Sequence, residues 1–235
     1  MLQNDNSKYI TNPKFQVIVT WVWNLFGTFL ITILLLILMP TVVTNREGLK
    51  ANPGLIIIPI VSEIILTGLI PIILTLINKN SLISIGIQKK RVIESTILSI
   101  PMVIIYYVLL FLITGSTIEF PTTAFHIDTF WYLLLTIGAI FAYGPLEAFF
   151  VIWLIVKSDQ IFKSEEKMFS KGLILTIVIY GVLHSFSQGL NSITIAITFL
   201  GLGLIYKYTK NSIGPMISWT IAKEYIWFLI GILLF

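Results

Sequence analysis

Five ionisable side chains fall inside long apolar stretches of this 235-residue chain: Glu63, Glu147, His184, Lys223 and Glu224. Hydrocarbon does not solvate charge, so each such group needs a protein partner, a change of protonation or water, and each marks a candidate site facing other protein. Counted from the basic ends of their stretches, Glu147 lies about 15 Å deep, His184 about 20 Å, and the run from Thr220 to Glu224 about 13 to 19 Å. Three segments therefore bring polar groups to a common depth. A carboxylate and an imidazole so placed can activate a water, pass a proton, or hold helices together by hydrogen bonds worth about 1 kcal/mol or less each. Depth alone does not separate a reactive site from such glue. Glu63 has only apolar helix around it and reads as structural. Lys223 and Glu224 are neighbours, point about 100° apart on a helix and need separate partners, which Lys223 can find by extending its stem toward an interface.

The elements that must position these groups are membrane helices. Hydrophobic residues make up 57% of the chain and charged residues 11%, with a mean hydropathy of +0.95. A soluble domain carries roughly 25% charged residues to cover its surface. Apolar runs of the roughly 20 residues that span a hydrocarbon core recur at 15–39, 54–77, 93–114, 129–156, 172–188, 190–206 and 212–235. They predict an all-α, polytopic membrane helix bundle of about seven transmembrane helices, a single integral membrane domain over 1–235 whose first partner is the lipid bilayer of a cell membrane. The first run is longer than a signal-peptide core and lacks a small-x-small cleavage site, so it reads as a retained span. The absence of cysteine excludes disulfide and thiolate chemistry.

The net charge of +4 sits in the connections, where topology accounts for it and nucleic-acid binding need not be invoked. Lys79, Lys89, Lys90 and Arg91 follow the second run, Lys157, Lys163, Lys167 and Lys171 follow the fourth, and Lys207 and Lys210 precede the last. The connection after the third run holds Glu119, His126 and Asp128 without Lys or Arg, and His126 there reads as a solvated surface histidine. The positive-inside rule then places the N-terminus in the cytoplasm and the C-terminus outside. Arg46 and Lys50 in the connection at 41–53 run against this, partly offset by Glu47. Segment 82–91 is too short to span and reads as interfacial.

The sequence around the buried polar groups resembles the CAAX prenyl protease and bacteriocin-processing family of intramembrane glutamic proteases, over roughly residues 80–228. That family shows a Glu-Glu-x-x-x-Arg box shortly after a proline, and here Tyr143-Gly-Pro-Leu-Glu147-Ala-Phe-Phe-Val-Ile152 stands in its place. Its Phe-x-x-x-His motif corresponds to Tyr180-Gly-Val-Leu-His184. The Gly-spaced helix, basic turn, Ser-aliphatic-x-Pro and His-x-x-x-Asn that follow correspond to Gly201-Leu-Gly203, to Lys207 through Ser212-Ile-Gly-Pro215, and to Thr220-Ile-Ala-Lys-Glu224.

The resemblance implies that Glu147 and His184 activate a water to cleave a prenylated or otherwise membrane-tethered peptide. It places Thr220 and Glu224, i,i+4 on one helix, in the oxyanion and pocket region, with Tyr143 and Tyr180 from the first two motifs beside them. Four positions depart from the family pattern: Ala148 for the second Glu, Ile152 for the Arg, Thr220 for the late His and Glu224 for the late Asn. Losing one oxyanion donor costs about 10²–10³ in rate, so the departures weaken catalysis unless Lys223 or Tyr143 compensates. Two other readings stand beside the protease: an inactive relative that binds a lipidated peptide, a hydrophobic ligand or a membrane partner, and a small transporter with Glu147, His184 and Glu224 as proton relay. A zinc set of Glu147, His184 and Glu224 holds one histidine where zinc sites favour more, so no cofactor or metal is expected.

Gly201 and Gly203 remove side-chain bulk from the sixth run and predict close packing against a neighbour. The charge asymmetry gives a direct topological test. Reporters fused after Arg91 and Lys163 should read cytoplasmic and one fused near Asp128 external; the reverse pattern overturns the orientation.

Overall fold

The computed structural model describes residues 11–38, 57–78, 82–115, 130–223, 225–226 and 229–230. Lys79, the connection with Arg46, Glu47 and Lys50, the acidic connection with Glu119, His126 and Asp128, the residue Glu224 and the far end of the last apolar run lie outside the described residues. Among the described residues every regular element is helical: α1 Pro13–Leu38; α2 in three parts, Ile57–Glu63, Ile64–Leu69 and Ile70–Ile77; a short 3₁₀ turn Leu82–Ile85; α3 Val92–Thr114; α4 in three parts, Phe130–Phe141, Ala142–Leu146 and Glu147–Phe162; α5 Lys171–Gln188; α6 Asn191–Thr209; and α7 Ile213–Ala222. Five of them, α1, α2, α3, α4 and α6, are long and apolar enough to cross a membrane, and the chain is a multi-pass helical membrane protein.

Two helices contain a wide π turn, Ile64–Leu69 in α2 and Ala142–Leu146 in α4. Pro145 accounts for the second, because it lacks the N–H that would close a regular turn and its ring crowds the preceding carbonyl. Near the first, the Ile65 carbonyl accepts from Trp23 Nε1 of α1 at 3.1 Å, so a backbone acceptor in the loosened turn is satisfied from a neighbouring helix. Trp153 Nε1 donates to Thr75 Oγ1 at 2.9 Å and ties α4 to α2.

Helix α4 is the centre of the bundle. Every residue from Ala148 to Ile155 is buried, so this stretch has no lipid-facing side. Helix α5 packs on α4 and α6, while α6 and α7 both pack on α3. Close approach depends on small residues. A Cβ on Gly201 would stand 2.3 Å from Met102 Cε, and one on Gly203 would stand 2.5 Å from Leu173 Cδ1, so both glycines of α6 face neighbouring helices. Helix α7 crosses α3 backbone against backbone, where a Cβ on Gly214 would meet the Ser95 backbone carbon at 2.3 Å.

Three sequence boundaries are corrected. Helix α4 continues past 156 to Phe162 and carries a buried Lys157 whose ammonium lies 5.9 Å from the Trp153 ring centroid. Helix α6 extends through Lys207, which is no loop charge but a buried partner of Asp159 at 2.5 Å. The unbroken helix expected over 212–235 does not form: α7 ends at Ala222 and Lys223 is extended (φ −81°, ψ 139°). Tyr107 Oη donates to the Ala222 carbonyl at 3.1 Å and so satisfies an acceptor at that break. The i,i+4 register that was to put Thr220 and Glu224 on one helix face is therefore interrupted at Lys223.

Segment 82–91 is held against the turn between α6 and α7. Ile85 is buried, Ser212 N donates to Gly86 O at 3.0 Å, and Asn211 Nδ2 donates to the carbonyls of Gln88 and Lys90 at 2.7 and 2.8 Å. Gly86 adopts φ +87°, and a Cβ there would stand 2.9 Å from Ser212 N, so the contact requires glycine on both counts.

The two kinds of glycine contact separate experimentally. Gly214→Ala meets backbone, which cannot swing aside, and should cost about 1–3 kcal/mol of stability in detergent. Gly201→Ala meets the flexible end of Met102 and should cost less; equal losses in thermal unfolding would contradict the packing described for α7.

Candidate active site around Glu147

The π turn Ala142–Leu146 immediately precedes Glu147, and Glu63 immediately precedes the π turn of α2. Widened turns of this kind are frequent where a helix must re-aim a side chain. Gly144 lets α7 close over this point, since a Cβ there would stand 3.1 Å from Thr220 Cα. Glu147 is 3% exposed. A carboxylate so enclosed is sustainable only with donors on both oxygens.

The donors come from two other helices and their ends. Tyr180 Oη of α5 donates a short hydrogen bond to Oε1. Trp219 Nε1 of α7 donates to Oε2 at 2.8 Å. Lys223 Nζ, just past the end of α7, stands 3.3 Å from the same oxygen and 4.5 Å from the Trp219 ring centroid. His184 Nε2 of α5 lies 3.7 Å from Oε1. Aromatic packing fixes these donors: Trp219 lies 4.3 Å from Phe199 and 5.6 Å from Tyr106 between ring centroids, and Phe199 meets Tyr180 edge-on at 5.2 Å.

The histidine tautomer follows from its second contact. Nδ1 lies 3.0 Å from the Tyr180 carbonyl oxygen, which can only accept, so Nδ1 carries the hydrogen. In the neutral ring Nε2 then presents a bare lone pair toward Oε1. Two acceptors facing each other across 3.7 Å repel unless a donor sits between them. A proton on Nε2 meets that need, and so does a water giving one hydrogen to each. In the second case the water's own lone pairs face outward, the orientation of a nucleophile activated by a general base.

The sequence-predicted residues separate into three groups. Glu147, His184 and Tyr180 converge, with Tyr180 bonding the carboxylate directly. Tyr143 stacks on Tyr225 at 5.3 Å and, among the described residues, makes no hydrogen bond to the carboxylate. Thr220 abuts Gly144 but donates its hydroxyl to the Met216 carbonyl of its own helix at 2.6 Å, so that hydrogen is committed within α7. Glu224 is outside the described residues.

Sequence reasoning missed Trp219 and misplaced two others. An indole N–H buried in an apolar helix needs an acceptor, and that was the available signal. Lys223, for which the sequence leaves open a separate partner, water or an interface, is only 16% exposed at the side chain and pairs with Glu147. Glu63, read as isolated glue, lies close enough to Glu147 and Lys223 to interact with both electrostatically, while its own turn is tied by Thr67 Oγ1 donating to the Glu63 carbonyl at 2.7 Å. Among the described residues no group of three His, Asp or Glu side chains could hold a metal ion.

Comparison with protein-family models, with curated proteins and with solved structures finds no match to this chain.

A buried ion pair leaves a distinctive signature when one partner is removed. Lys223→Met should destabilise the protein by about 3–5 kcal/mol, because it strands the carboxylate. Adding Glu147→Gln to that variant should restore a large part of the loss, a coupling readable in a double-mutant cycle of detergent unfolding. Strict additivity would mean the two groups do not interact.

Proposed function

We propose that this chain is an intramembrane endopeptidase of the glutamic type, related to the CAAX prenyl protease and bacteriocin-processing proteins, in which Glu147 and His184 activate a water against a membrane-tethered or prenylated peptide. The reading rests on one observation: Nε2 of His184, whose ring is held through Nδ1 by the Tyr180 carbonyl, faces Glu147 Oε1 across 3.7 Å. A water bridging the two attacks the peptide carbonyl carbon, and its proton passes through Glu147 to the leaving amine as the C–N bond breaks. Tyr180 and Trp219 orient the carboxylate from either side. Lys223 is the cation nearest the carboxylate among the described residues, and with Thr220 turned into its own helix it is the group left to meet the developing oxyanion. The protein works in a cell membrane with about seven spans and a cytoplasmic N-terminus. Support for this orientation comes from Lys163, Lys171, Lys207 and Lys210, which gather at one end of α4, α5 and α6.

A second reading is favoured by the state of Oε2. Trp219 and Lys223 both occupy it, and a carboxylate tied to an ammonium is committed to holding helices in place. On this reading the chain keeps a protease-like arrangement to bind a lipidated peptide or a membrane partner without cutting it.

A peptidase assay in detergent with a panel of prenylated peptides distinguishes the two. The intact chain should cleave at least one of them, and Glu147→Gln and His184→Ala should each lose about 10²-fold or more. Cleavage no greater than that of Glu147→Gln, together with retained peptide binding, would leave the binding reading in its place.

A further inference from the structure

Away from Glu147, the N-terminal end of α3 and the C-terminal end of α6 enclose an open groove of about 590 Å³ lined by Lys89, Arg91, Glu94, Ile93, Ile97 and Tyr208 among others. Its two ends differ in chemistry. Ile93 and Ile97 are 76% and 62% exposed and form an apolar wall along the first two turns of α3. Lys89 and Arg91 stand at the mouth, with Lys90 exposed next to them. Because α3 is a 23-residue span, its end lies near the boundary of a hydrocarbon core about 30 Å thick. The apolar wall thus begins at acyl-chain depth and the basic mouth sits at headgroup depth.

Arg91 is held for a purpose other than neutralising its neighbour. It occupies the left-handed region at φ +58°, a conformation that costs a side-chain-bearing residue about 1 kcal/mol or more and that glycine or asparagine would adopt with less strain. The strain points its guanidinium between Glu94, which accepts from Nε and Nη2 at 2.5 and 2.6 Å, and the Tyr208 carbonyl, which accepts from Nη1 at 2.9 Å. Three of its five N–H groups are thereby used, and one on each terminal nitrogen remains for an anion. The Tyr208 ring, 4.8 Å from the guanidinium carbon, supports it from the side. Glu94 balances the charge of Arg91, whereas Lys89 has no ion-pair partner among the described residues.

We infer that this groove is a binding site for an anionic phospholipid, whose phosphate is held by Lys89 and the two remaining N–H groups of Arg91 and whose acyl chain lies along Ile93 and Ile97. A zwitterionic lipid fits the wall equally well but brings a choline or ethanolamine cation to a mouth that already carries excess positive charge. The site discriminates by headgroup.

Native mass spectrometry of the intact chain, released from detergent carrying phosphatidylglycerol or phosphatidylcholine, tests this. One or more phosphatidylglycerol molecules should remain bound where phosphatidylcholine is lost. Lys89→Gln should weaken retention about fivefold, near what one basic residue at a membrane surface contributes. Lys163→Gln, a basic residue outside the groove, should change it little. Arg91→Gln tests the guanidinium, and because it also removes the Glu94 pair, its folding is checked by circular dichroism; a folded variant with weakened retention supports the site. Ile97→Glu, which leaves the mouth intact and puts a charge on the wall, should also reduce retention. Equal retention of the two lipids, or equal effects of Lys89→Gln and Lys163→Gln, overturns the proposal.

Discussion

A carboxylate buried at mid-depth in an apolar bundle demands a great deal from its surroundings, and the architecture around Glu147 is largely the answer to that demand. Its two oxygens have about four lone-pair directions to fill. Tyr180 supplies one side from α5, where His184 Nε2 stands off at 3.7 Å, while Trp219 and Lys223 supply the other from α7 and the residue just beyond it. No donor comes from α4 itself. The three helices are thereby fixed in relative height and rotation, which dispersion between equally apolar surfaces does not specify in lipid. The extended backbone at Lys223 and the aromatic cluster of Tyr106, Phe199 and Trp219 belong to the same requirement, since each aims a donor at one point.

Helix α4 repeats this solution nearer its other end. Asp159, about 18 Å further along, is also buried and also paired with a lysine, Lys207 of α6, at 2.5 Å. Ser164 Oγ and Gly172 N complete its shell at 2.9 and 3.0 Å, and Lys207 donates onward to the Glu165 carbonyl at 2.7 Å. The difference lies in what remains open. Around Asp159 the neighbours donate to it directly and from short range, as suits a clamp between α4, α5 and α6. Around Glu147 the histidine stands off at 3.7 Å with its side chain 20% exposed. Of the two carboxylates, only that one has a basic nitrogen facing it across a gap.

The helical class, the positions of most spans and the meeting of Glu147 with His184 were legible because they depend on coarse hydrophobicity and on the cost of isolated charge. Other features were hidden for a shared physical reason. Where lipid and protein interior are equally apolar, a helix shows no polar stripe, so the complete enclosure of Ala148–Ile155 and the lipid-facing side of Ile93 look alike in sequence. Lys207 has the look of a loop charge in sequence because its partner Asp159 lies 48 positions away, and nothing local announces the pair. Lys223 falls in helical phase by sequence because the break at Ala222 has no proline or glycine to signal it; the tyrosine that caps it, Tyr107, is 115 positions distant. Thr220 shows the converse error, since its place in a motif suggested a donor to substrate while its hydroxyl had an acceptor one turn back.

The wide turn at Ala142–Leu146 carries one residue more than a regular turn, and this gives the chain an unusual tolerance to length change at a single place. Shortening a regular helix by one residue rotates everything beyond it by about 100° and would carry Glu147 off the side that faces α5 and α7. Removing one residue from within the wide turn instead converts it to an ordinary turn, with both flanking pieces of α4 keeping their azimuth. The surplus residue is therefore a phase reserve placed one step before the carboxylate: the loss of a single residue from this segment can be absorbed there without moving the charge.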